Sequence, residues 1–136
     1  MIREVAHLSI EYWKTVDLRS EVLRIPLGLK FTDEELQAEN DQIHIAYFEG
    51  EDVIGCLCLK SISETEIKMR QVAVSEQFHG KGIGSRLVDY SEHYAKGKGF
   101  NLMSLHARNN AIPFYKKKGY TIDGAPFLEV GIEHFK

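Results

Sequence analysis

The spacing of apolar positions changes period along the chain, and each change marks a new element. Ile2 to Ala6 reads as a short strand. Ser9 then caps a helix that carries Tyr12, Trp13, Val16 and Leu23 on its buried side. Pro26 and Gly28 break that pattern. Thr32-Asp33-Glu34-Glu35 fits a capping box, in which a hydroxyl and a carboxylate satisfy free backbone N–H groups at the start of a short second helix.

From His44 the period becomes two. His44 to Phe48, Val53 to Lys60 and Glu66 to Val74 are β-rich runs parted by Glu49-Gly50-Glu51-Asp52 and by residues 61–65, which predicts an antiparallel meander. Helical spacing returns with Ile83, Leu87, Tyr90 and Tyr94 and stops at Lys96-Gly97-Lys98-Gly99. Leu102 to His106 is a strand. Asn109 or Asn110 can cap the next helix, where Pro113 sits in the first turn and Gly119 marks the end. Tyr120 to Ile122 and Leu128 to Phe135 supply the last strands. The order predicts one α/β domain over residues 1–136, a mixed, mostly antiparallel sheet with flanking helices.

Composition narrows the class. With 136 residues, 43% hydrophobic and 27% charged, the chain can bury one core. A net charge of −3 gives no general attraction for nucleic acid, and the basic run Lys116 to Lys118 reads as the exposed end of a helix. No apolar stretch approaches the ~20 residues of a membrane span, and no leader is evident, so the expectation is a cytoplasmic protein without membrane contact. Cys56 and Cys58 alternate on one strand face as core residues, and the six histidines show no metal-ligand spacing, so no metal is expected. His7 and His93 are expected on the surface, and His106 at a strand end.

The segment Gln77-Phe78-His79-Gly80-Lys81-Gly82-Ile83-Gly84-Ser85 carries the chemistry. It links a strand to an amphipathic helix, where glycines let the backbone approach an anion and the helix start adds free N–H donors. Lys81 and His79 could add charge at the rim. No Gly-Lys-Ser/Thr occurs, which excludes a Walker loop, and the glycine order breaks the dinucleotide fingerprint.

Gln77, Gly80 and Gly82 do match Q/R-x-x-G-x-G/A, and the stretch from Val72 to Leu87 resembles the coenzyme A-binding segment of the GNAT superfamily of N-acetyltransferases. Ala111-Ile112-Pro113-Phe114-Tyr115-Lys116-Lys117-Lys118-Gly119-Tyr120 resembles that family's A-x-x-F-Y-x-x-x-G-F/Y segment, in the expected order. Softer likenesses to one bacterial subgroup lie at residues 24–29, 39–44 and 129–134. Many relatives carry Asn where Arg108 stands, and here Asn110 is the preferred candidate for a contact with the pantetheine arm.

The resemblance implies a GNAT-like sheet with a splayed central pair of strands, a bulge before the turn, and acetyl-coenzyme A as co-substrate with no metal. Val72, Ala73 and Val74 would offer backbone groups to the arm and thioester, and residues 77 and 79–85 would hold the pyrophosphate. Tyr115 would give a proton to the departing thiolate. The acceptor would be a primary amine of a small molecule or peptide, attacking directly in a ternary complex. An alkyl ammonium has a pKa near ~10.4, so a base or a water chain is required; Glu39, Asp41, Glu129 and His134 are the candidates. Lys68, Arg70 and Gln71 stand where some relatives carry a catalytic carboxylate. A non-catalytic acyl-coenzyme A-binding module is the alternative, and a homodimer is left open.

Overall fold

The computed structural model describes residues 1–107, 111–122 and 127–131, with the backbone alone for 122 and 127–131. Strand β1 (Ile2–Val5) leads to helix α1 (Ile10–Arg19), whose N-cap Ser9 accepts a hydrogen bond from the Tyr12 N–H. The chain then widens into a π-turn over Ser20–Arg24 and a 3-10 turn over Ile25–Leu27. Helix α2 (Asp33–Gln37) starts on the capping box read from Thr32 and Glu35, with both reciprocal bonds present. Strands β2 (Ile43–Glu49), β3 (Asp52–Ser61) and β4 (Glu66–Val74) form the meander. Helix α3 (Ile83–Gly97), strand β5 (Leu102–His106), helix α4 (Ile112–Lys117) and strands β6 (Thr121–Ile122) and β7 (Phe127–Gly131) complete the order.

Among the described residues the strands form one sheet in the order β1-β2-β3-β4-β5-β7-β6. Its pairs are antiparallel except β4 with β5, which run parallel. Period-two alternation divides β3 between two cores. Leu57 and Leu59 join Ile45, Ile67, Met69, Met103 and Leu105 under α3, whereas Cys56 packs with Leu18 of α1 and Ala73 on the other face.

Two expectations at α1 are corrected. Trp13 is 43% exposed while Tyr12 is fully buried, because adjacent helical residues point about 100° apart and cannot share one narrow stripe. Leu23 lies beyond α1, half-buried in the π-turn. His7, expected on the surface, is half-buried, stacks on His44 at 5.6 Å between ring centroids and bonds the Leu36 carbonyl at 2.8 Å.

The feature that shapes the site is a bulge in β4. Cys56 pairs with Ala73 and Cys58 pairs with Arg70, so two steps on β3 oppose three on β4. Gln71 takes up the extra residue at φ 56°, a left-handed conformation that costs a non-glycine residue about 1 kcal/mol or more. The parallel ladder to β5 runs from Glu66↔Leu102 to Met69↔Leu105 and stops there. Beyond the bulge the two strands part.

Candidate active site

The parting of β4 and β5 opens a cleft of about 430 Å³. Met69 to Val72 line one wall and Leu105 to Ala107 the other, and Ala111, the N-cap of α4, and Tyr115 within that helix also line the cleft. Val22 to Arg24, Leu27 and Leu29, from the stretch after α1, line it too. On the β5 side, the backbone of Val72, Ala73 and Val74 has no ladder partner among the described residues, since that pairing ends at Met69. Their side chains serve the core: Ala73 is buried against α1, and Val72 and Val74 pack toward the α3 side.

Tyr115 is 6% exposed and lines the cleft. Its ring is wedged edge-to-face between Phe114 (4.9 Å) and Tyr120 (5.5 Å). The hydroxyl makes no hydrogen bond among the described residues. Burial pushes its pKa up to about 12, which keeps it a proton donor at neutral pH.

Past Val74 the chain makes one 3-10 turn over Glu76–Phe78 and reaches α3 through Gly80 and Gly82, both at φ 79°. An L side chain is strained in that conformation, which is why glycine stands at both positions. The first α3 amide bonded back along the chain is that of Arg86, to the Gly82 carbonyl at 3.1 Å. The N–H groups of Ile83, Gly84 and Ser85 therefore precede the helical ladder, at the positive end of a 15-residue helix with no side-chain cap. Backbone donors gathered at a helix start suit a phosphate.

The side chains around this turn divide by use. The His79 Nε2 sits 2.9 Å from the Val74 carbonyl and so ties the turn to its strand. Lys81 is exposed, with its ammonium 5.8 Å from the Phe78 ring centroid. Gln77 is exposed beside Glu76 and Glu21, on the turn's outer flank. The Ser85 hydroxyl accepts a bond from Lys118 at 2.9 Å, and Lys118 also pairs with Asp89. The expected exposed helix end is corrected at Lys118, which is half-buried and fastens the end of α4, and with it Tyr115, to the first turns of α3. Residues 33 apart in sequence give no local signal of that tie.

The candidates for the base fall apart in space. Glu39 is buried: both its oxygens accept bonds from Arg19, at 2.8 and 2.9 Å, and one also from the Tyr12 hydroxyl at 2.8 Å. Burial pushes its pKa up, yet the Arg19 hydrogen bonds and charge outweigh this and hold it below the ordinary carboxylate value. A carboxylate so committed is a poor acceptor for a substrate proton. Asp41 is exposed in the 3-10 turn after α2. Glu129 pairs in the backbone with Ser104 and Thr121; its side chain, Asn110 and His134 lie outside the described residues.

The fold also assembles a set the sequence kept apart. One ligand atom each from Glu39, His44 and Cys58 lie within 4.8 Å of one another. Every one has a protein partner: the Cys58 thiol is 3.3 Å from His44 Nδ1, His44 Nε2 is 3.1 Å from the Glu39 carbonyl oxygen, and Arg19 covers the Glu39 carboxylate. Burial raises the Cys58 pKa to about 12 and lowers that of His44, so a neutral thiol and a neutral imidazole form a hydrogen-bonded chain beside Arg19. With its donors engaged and a guanidinium adjoining, the set is poorly suited to a cation.

Within the cleft the charged groups are basic. Arg70 donates to the neutral Gln42 Oε1 at 2.9 Å. His106, assigned no chemistry from sequence, lines the wall; burial and then the Lys68 charge lower its pKa, so its imidazole is neutral at pH 7.

Comparison with known proteins agrees with this geometry. The profile of the acetyltransferase (GNAT) family matches residues 4–120, which include both glycine turn and Tyr115 segment. An uncharacterised N-acetyltransferase of Bacillus subtilis, YjcF, is 28% identical over 120 residues, covering 88% of this chain and 85% of that protein. The crystal structure of an aminoglycoside 6'-N-acetyltransferase complexed with coenzyme A superposes with a TM-score of 0.82 at 16% identity, over 100% of this chain and 99% of that one. A GNAT family acetyltransferase from Elizabethkingia anophelis with acetyl-CoA bound gives 0.78 at 17% identity, over 96% and 97%. The two structures share the fold, and the family profile spans most of the sequence. This chain belongs to the GNAT family of acetyltransferases.

Proposed function

We propose that this protein transfers an acetyl group from acetyl-coenzyme A to a primary amine of a small molecule or peptide, by direct attack in a ternary complex. The observation that carries the reading is the bulge at Gln71, which frees the β5-facing edge of β4 directly beside Tyr115. Acetyl-coenzyme A, when bound, supplies a thioester whose carbonyl carbon exchanges sulfur for nitrogen.

The residues fit that group. The amides of residues 82–85 offer donors to a diphosphate, and the freed edge at Val72 to Val74 offers backbone groups to the arm. An N–H on that edge stabilises negative charge as it grows on the carbonyl oxygen. Tyr115 gives its proton to sulfur while the C–N bond forms and the C–S bond breaks, and is reprotonated from solvent. The amine nitrogen loses its own proton to cleft water or to the neutral His106. Arg70 and Lys68 assist, since a cationic neighbourhood disfavours an ammonium and lowers its pKa.

Free-thiol release from acetyl-coenzyme A across an amine panel tests the reading. Tyr115→Phe is expected to lower kcat about 100-fold with unchanged coenzyme A affinity; wild-type turnover in that variant removes the role. Gly82→Ala is expected to weaken coenzyme A binding and to cost about 1 kcal/mol of stability through its positive φ. Coenzyme A binding without turnover on any amine would favour the acyl-coenzyme A-binding module.

A further inference from the structure

The cleft has a side chamber. A recess of about 230 Å³ adjoins it, and the two share Arg24, Arg70 and Gln71. Lys60, Gln42, Glu35 and Glu39 also line the recess. Its carboxylates are already engaged: Glu35 pairs with Arg24 at 3.1 Å and Glu39 with Arg19 at 2.8 Å. On the sheet below, Glu66 accepts a bond from the Ser104 hydroxyl at 2.8 Å.

The cations are not engaged in the same way. Lys60 stands directly opposite Lys68 in the β3–β4 register, with Arg70 two residues further along the same face. Neither lysine has a hydrogen bond or ion pair among the described residues, and Arg70 bonds a neutral amide. Like charges directly opposed across strands are destabilising. The effect reaches Lys68 itself, whose pKa is lowered by burial and then by the Arg70 and Lys60 charges. Lys60 and Arg70 line the recess with Lys68 beside them on the sheet, and with no anion paired to any of the three among the described residues they give it a positive potential.

Resting on the acetyl-transfer reading above, we infer that the acceptor is an amine that also carries an anionic group, a carboxylate or a phosphate. That group docks between Arg70 and Lys60 in the recess while the amine lies in the adjoining cleft at Tyr115. Arg70 supplies planar N–H donors suited to either anion, and the lysines add charge. The same field repels polycationic amines. Leu27 and Leu29, 57% and 49% exposed and lining the cleft, offer an apolar wall to the spacer between the two groups.

The test reads binding separately from turnover. The protein saturated with coenzyme A is titrated with 6-aminohexanoate, its methyl ester, an aminoalkyl phosphate of matched length, and spermidine, and each is assayed for acetylation with acetyl-coenzyme A. At least one anionic amine is expected to bind about tenfold more tightly than the ester, as charge-assisted hydrogen bonds allow, and the better of the two identifies the anion. In Arg70→Gln, and in Lys60→Gln should the first variant fold poorly, that preference is expected to collapse. The inference is overturned if the ester or spermidine binds as well as the anionic amines, if neither anionic amine binds, or if both folded variants keep the wild-type preference. Anion preference with no amine acetylated would support the recess and overturn the acetyl-transfer reading instead.

Discussion

Beneath α1, Arg19 is fully buried and meets Glu39 through two hydrogen bonds, with the Tyr12 hydroxyl adding a third and the His44–Cys58 chain running alongside. Only the Arg19 Nε is left without a partner among the described buried side-chain atoms. A few residues along β3 and β4, Lys60, Lys68 and Arg70 are half-buried on one face, and no carboxylate pairs with them among the described residues. Both regions place charge against low-dielectric surroundings, where an unmatched group is costly. Apart from the Arg19 Nε, the saturated cluster's bonding capacity is spent within the protein, where it joins α1, the turn after α2 and β3. The unsaturated one retains its cost in the free protein, which is the expected mark of a surface built for something that arrives later.

The largest effect should come from unbalancing the saturated side. Arg19→Met strands the buried Glu39 carboxylate and is expected to destabilise the protein by about 3–5 kcal/mol in urea unfolding. Adding Glu39→Leu should recover most of that loss, because removing both members of a buried pair is often close to neutral. A single variant costing less than about 1 kcal/mol would end the distinction between the two regions.

Acid should separate them next. The folded pKa of His44 lies below its ordinary 6.5, mainly through burial, so the unfolded chain binds the proton first and stability falls as pH drops below 6.5. Glu39 follows: its folded pKa lies below 4.5, so the stability present above 4.5 is lost as pH falls through the folded value. The basic strip has its sign at the other end. Lys68 has a depressed folded pKa, so its penalty is relieved as pH rises toward 10.5. Urea midpoints measured from pH 8 down to about pH 2 should fall in two stages, and His44→Asn should remove the first.

What could be read from the sequence was local. Ser9 and the Thr32–Glu35 box act within one helical turn, and residues alone announced them. The glycine turn was likewise a contiguous signal, and it stands between β4 and α3 as its composition required. Glu39 reads as a candidate base from its place just before the strand at His44, and nothing in the sequence couples it to Arg19, 20 positions earlier. The bulge was expected from family resemblance, yet no residue type marks Gln71 as the one to take a positive φ; the pairing register decides it. In the sequence Lys68 and Arg70 stand out only for occupying the place of a carboxylate that some relatives carry. Their alignment with Lys60 depends on that same register, which a one-residue slip would have turned to the other face.

The smallest effect is the one that cuts most sharply between the regions, because it has the opposite sign. Lys68→Gln removes one of two like charges that face each other across β3 and β4, and a cross-strand pair of this kind is worth about 0.5 kcal/mol. Folding should therefore become slightly more favourable, visible as a raised urea midpoint at unchanged slope. The same substitution should weaken binding of an anionic amine to the coenzyme A complex. A residue retained for architecture would lower stability when removed, as Arg19 is expected to do. If Lys68→Gln loses stability and leaves anion binding untouched, the strip belongs with the buried network and the recess has no claim on the acceptor.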